Sequence, residues 1–129
     1  MSSYGYLRSI DSGVDRVLDK LPALLERDGF IVVSSIDIAQ ILKQRLNIDY
    51  RRYHILGVAN PSHILKALDV EQEIGLLLPS NIVVFQKPGG GTIVGTVRST
   101  TWLKLTENDD LREIAKFLEA KLKMIIDEI

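Results

Sequence analysis

The chain predicts an α+β domain: a mixed sheet with helices packed against it, in the order β-α-β-α-β-α-β-β-α. Three observations lead there. Short β-branched runs alternate with stretches whose apolar residues recur at steps of three and four. Two of those runs, NIVVFQK and TIVGTV, flank Pro88-Gly89-Gly90-Gly91, which is the pattern of a hairpin with a glycine tip. The length, 129 residues with 46% hydrophobic and 26% charged, suits one domain that buries a real core.

Each element has its own warrant. Residues 4–10 alternate as an opening strand, with Tyr4, Tyr6, Arg8 and Ile10 on one side and Leu7 on the other. Ser12 and Asp15 resemble a capping box, and Val14, Val17, Leu18, Leu21 and Leu25 then step as one helical face until Gly29. Pro22 removes the bond to the Leu18 carbonyl, so that helix is expected to be kinked or divided near Leu21. Residues 30–36, FIVVSSI, are apolar on both faces and read as an interior strand. Asp37 caps a second helix whose buried stripe is Ile38, Ile41, Leu42 and Leu46 and which Asn47 closes. Residues 50–59 form a third strand that sends Arg52, His54 and Leu56 to one face and Arg51, Tyr53 and Ile55 to the other. Asn60 is a preferred N-cap and Pro61 suits the first helical position, with Ile64, Leu65 and Leu68 as the apolar face. A weaker turn or loop leads to Pro79, the hairpin strands span 81–87 and 92–97, and Leu111, Ala115, Leu118, Leu122, Ile125 and Ile129 mark a last helix. Strand order in the sheet does not follow from these patterns.

Composition narrows the function. Sixteen basic residues against 17 acidic ones create no overall field toward nucleic acid or an anionic membrane. With no cysteine, disulfides and thiol chemistry are excluded. The opening MSSYGYLRSID lacks a basic and apolar leader and no apolar run is long enough to span a membrane, so a cytoplasmic location without membrane contact is expected. No cofactor is expected.

The candidate chemistry gathers at a few places. A helix that begins at Asn60 favours an anionic or carbonyl-bearing ligand, and a groove between it and Pro79-Ser80-Asn81 would present Asn60, His63, Ser80 and Asn81, with His54 as a further candidate. His63, in a first helical turn, is expected to be exposed. An enzyme using His63 or His54 as general base, with Ser80 nearby, is the alternative; no motif supplies the group that would orient the imidazole, so no catalytic residue is assigned. Two isolated histidines make at most half a metal site, and none is expected. Arg45, Arg51 and Arg52, beside Lys43 and Tyr50, form a basic patch that would suit phosphates, yet Asp49 lies among them and a solvated rim is the simpler reading. The triple glycine joins strand to strand and not strand to helix, so it is no phosphate cradle.

RDGF, SSIDIAQILKQRLNIDYRRYHILGVANP and EIGLLLPSNIVVFQ, read in order, cover nearly the whole chain. Together they resemble the family called domain of unknown function 302, whose pattern reads close to ILGxCNP and LLPCN. Its motif positions fall on Ile55, Leu56, Gly57, Ala59, Asn60 and Pro61, and on Leu77, Leu78, Pro79, Ser80 and Asn81. Ala59 and Ser80 stand where the family often has cysteine, so any thiol function of relatives is absent here. The resemblance implies a compact α+β domain, a homodimer, and no established activity.

Overall fold

A computed structural model describes residues 3–129. Strand β1 (Gly5–Ile10) leads into helix α1 (Val14–Arg27), which buries Val14, Val17, Leu21 and Leu25 at the predicted steps. Gly13, and not Ser12, is its N-cap, with no side chain bonded there, and Gly29 at φ 83° turns the chain away just past its end. The helix is not divided. Pro22 sits within one unbroken helix, on an exposed position where the carbonyl it frees at Leu18 can meet water.

Strand β2 (Ile31–Asp37) passes directly into α2 (Ile38–Leu46), whose first turn is capped by the Asp37 carboxylate accepting from Gln40 N at 3.0 Å. Asn47 closes it in the left-handed region at φ 53°. Strand β3 (Tyr53–Ala59) precedes α3 (Pro61–Val70), a 3-10 turn over Gln72–Leu77, and a cis Leu78-Pro79 bond. The hairpin β4 (Ser80–Gln86) and β5 (Thr92–Val97) turns through Gly89, Gly90 and Gly91, all at positive φ. A short α4 (Trp102–Thr106), not anticipated, buries Trp102 before α5 (Arg112–Asp127).

The α+β class holds, and the sheet order is β1-β5-β4-β3-β2. Every pairing is antiparallel, so the sheet is not mixed. The reason lies in the connections. The segments holding α2 and α3 return the chain to the end of the sheet it left, which makes neighbours antiparallel, and only α1 carries it across from one edge strand to the other.

The two faces of the sheet differ. Leu56, Val58, Ile82, Val84 and Val94 point to one side and meet Val17, Leu21 and Leu25 of α1 and Leu118, Leu122 and Ile125 of α5 in the core. Each such side chain contributes about 1.5–3 kcal/mol by leaving water. The other face carries the cross-strand rows Leu7, Gly95, Val83, Ile55, Ile36 and Ser9, Ile93, Phe85, Tyr53. None of these packs into the core cluster: Ile55, Val83, Phe85 and Ile93 are half-buried, and Leu7 and Ile36 are exposed.

Two further expectations are overturned in the β2 and α2 region. The strand read as interior is an edge strand, paired only with β3, and Ile31 to Ile36 are all exposed. Helix α2 buries no residue at all; Ile41 is 45% and Leu46 is 61% exposed.

Candidate functional site

Asn60 begins α3 as predicted, and both ends of its side-chain amide are hydrogen-bonded. Its Oδ1 accepts from His63 N at 3.3 Å, from Ser62 Oγ at 3.0 Å and from His63 Nδ1 at 3.0 Å, while Nδ2 donates to the Asp28 carbonyl at 3.5 Å. The residue is buried, 6% exposed, and ties the start of α3 to the end of α1.

His63 is not the exposed group expected of a first-turn residue. Its ring stacks on Phe117 of α5 with centroids 3.9 Å apart and planes within 2°. Burial, and secondarily the charge of Lys66, lowers its pKa below the usual histidine value, so the ring is held neutral. With Asn60 Oδ1 an acceptor, the proton sits on Nδ1.

Ser80 and Asn81 open β4 and diverge: Ser80 is buried beside its partner Val58, whereas Asn81 is exposed and lines a hollow on the open face. Neither histidine is hydrogen-bonded to Ser80 among the described residues. The three hollows described lie elsewhere, and Asn60, His63 and Ser80 line none of them.

His54 is placed apart from that group, on the helix-covered face, only 9% exposed and opposite Asp37. Its Nε2 lies 3.2 Å from Arg52 Nη2, which also donates to Asp15 at 2.7 Å. That ion pair lowers the Asp15 pKa, mainly through the hydrogen bond from Arg52. It also removes Arg52 from the candidate nucleic-acid patch. Arg51 lies over the Tyr50 ring at 5.2 Å, Lys43 pairs with Asp49 at 3.0 Å, and Arg45 stands exposed near the end of α2. The patch is thus half neutralised by its own neighbours.

Among the described residues no group of three or more histidine, aspartate or glutamate side chains is arranged to hold a metal, and no helix is long and apolar enough to cross a membrane.

The feature that sequence reasoning missed is the open sheet face. Its two rows contain no Asp, Glu, Lys or Arg, although a quarter of the chain is charged. Tyr53 and Phe85 stack across β3 and β4 at 5.0 Å, and Leu7 lies over Gly95, leaving no room for a side chain there. A signal was present: Tyr53 and Ile55 on one side and Leu56 and Val58 on the other make β3 apolar on both faces.

Comparison with known proteins agrees on the fold. A family model described as domain of unknown function DUF302 matches residues 7–129. The crystal structure of an uncharacterized conserved protein DUF302 from Bacillus stearothermophilus is similar over 98% of each chain, with a TM-score of 0.89 and 26% identity. No curated protein matches.

Proposed function

The chain belongs to the DUF302 family, and from that premise we propose a non-enzymatic assembly module of the cytoplasm that works as a homodimer joined across the open face of its sheet. The observation that carries this reading is that the two central rows of that face hold no charged residue, the Lys87 ammonium reaching only its margin at Ser9. A solvated sheet face is ordinarily polar, because antiparallel sheets with one side in water alternate apolar-in and polar-out. Here the outer side is Leu7, Val83, Ile55, Ile36, Ile93 and Phe85.

A two-fold axis sets a patch against its own copy, so like charges on it would meet. An uncharged patch avoids that cost and is complementary to itself. A strongly acidic or basic partner would find only the Lys87 ammonium, at the margin beside Ser9, to recognise.

Size is consistent with this partner. Five strands of about six residues present on the order of 500 Å², short of the ~800 Å² that each side of a standard interface buries. Two copies paired across it would bury on the order of 1,000 Å² together, at the low end of specific interfaces, which suits pairing at micromolar concentration.

Sedimentation equilibrium of the wild type is the test, with Val83→Glu as the disrupting variant. The expected result is a dimer at tens of micromolar for the wild type. For the variant, a charge buried at a two-fold interface should weaken pairing by about 100-fold or more. A wild type that sediments as a monomer at that concentration removes the proposal.

A further inference from the structure

We propose that the hollow between α1 and the overhanging edge strand β2 binds a small apolar molecule bearing an uncharged carbonyl group. The cavity measures about 410 Å³, inside the range of roughly 300–1,000 Å³ found for small-ligand sites. It arises because β2 extends beyond the cover that α1 gives the sheet. Val32 and Ser35 pair with Val58 and Leu56 and so turn to the helix side, yet both stay exposed. Leu18, Phe30, Val32 and Leu56 make the wall apolar.

The polar groups select the ligand. His54 lines the hollow while only 9% exposed. Arginine can only donate, so His54 Nε2 accepts from Arg52 and the ring proton is on Nδ1. That Nδ1–H has no partner among the described residues. His54 borders the hollow, and a carbonyl oxygen entering it could accept from that N–H in place of water. The Ser35 hydroxyl, on the same wall, is a second donor.

Charge argues for a neutral head group. Glu26 is the one charged residue of the lining and has no ion-pair partner among the described residues, so it opposes a carboxylate. The Arg52 guanidinium beside His54 is already committed to Asp15. A cation would gain little from Glu26, which is exposed to solvent, and could not accept a hydrogen bond from His54.

This site lies on the side of β2 opposite the open face, so it is separable from pairing. The test uses the full chain, labelled with ¹⁵N, titrated with four probes that share a phenyl ring: acetophenone, ethylbenzene, benzoate and benzylamine. Acetophenone is expected to shift the amides of Val32, Ser35 and Leu56 saturably and to bind about fivefold tighter than ethylbenzene, the value of one net hydrogen bond. Benzoate and benzylamine are expected to bind more weakly than acetophenone. His54→Phe should bring acetophenone down to the affinity of ethylbenzene and leave ethylbenzene unchanged. Val32→Trp, at an exposed edge position that does not touch the core, should fill the hollow and abolish both. Equal affinities of acetophenone and ethylbenzene for the wild type, tighter binding of either charged probe, or no saturable shift at those amides would overturn the proposal. The first and last of these hold even where His54→Phe does not fold, and sedimentation of Val32→Trp, expected to match wild type, separates this site from dimer formation.

Discussion

Three donors converge on one oxygen at Asn60, and that single atom explains why Asn-Pro-Ser-His reads both as a helix start and as a site. The cap was legible from the residue types alone, because a short amide followed by proline is the pattern an N-terminus needs. The partial burial of His63 was not legible, since Phe117, the ring it stacks on, lies 54 positions away in the chain and no local spacing reports it. A pH dependence follows. The folded state holds the His63 pKa below its ordinary 6.5, so the unfolded chain takes up the proton first as pH falls. The stabilising contribution of the neutral ring is therefore complete above about pH 6.5 and is lost as pH drops through the folded value. His63→Phe keeps an aromatic partner for Phe117 and removes the titration. Melting temperatures measured between pH 7.5 and 5 should fall more steeply for wild type than for His63→Phe, and parallel curves would show that the imidazole is not coupled to folding.

Among the elements, α1 and β2 show where periodicity is sufficient and where it is not. The positions of Val14, Val17, Leu21 and Leu25 predicted the buried face of α1, because a helix that lies against its own sheet has its pattern set by that contact. Proline in that pattern suggested a break. The helix continues because Pro22 falls on the exposed side, where a lost backbone bond is replaced by water. Pro22→Ala should then restore the bond to Leu18. The gain of up to ~3 kcal/mol in helix propensity is offset by about 0.4–1 kcal/mol of unfolded-chain entropy and by any strain the native helix has already relieved. A net stabilisation of about 1–2 kcal/mol in urea unfolding is expected, and a destabilised variant would mean that the proline ring packs in the neighbouring hollow more tightly than its exposure suggests. Strand β2 shows the limit of the same reasoning. FIVVSSI is apolar on both sides, which is what burial demands, but a sequence does not say whether the burying surface belongs to the same chain. An edge strand with Ile31, Val33 and Ile36 exposed is ordinarily a liability. The register shift between Val32 and Ser34 limits it by interrupting the regular edge that another strand would need.

At the scale of the molecule, class and element order could be read from the chain, whereas strand order could not, because antiparallel and mixed sheets both accept strands separated by helices. The difference lies in the long-range pairing of β1 with β5, which joins residues near the two ends of the sheet-forming segment and leaves no trace in local pattern. That pairing also completes the apolar rows of the open face by setting Leu7 over Gly95. If two copies cover this face, folding and association are one equilibrium, and stability must depend on protein concentration. For a dimer that unfolds to separate chains, a tenfold rise in concentration adds about 1.4 kcal/mol per dimer, or roughly half of that per chain, and the melting temperature should rise by about 2–4 °C. Scanning calorimetry from 5 to 500 µM would measure this, and Val83→Glu, monomeric throughout, should show a flat melting temperature over the same range. A flat wild-type profile together with a normal enthalpy would mean that the open face is stable in water as it stands, and the uncharged rows would then need a different explanation from a second copy of the chain.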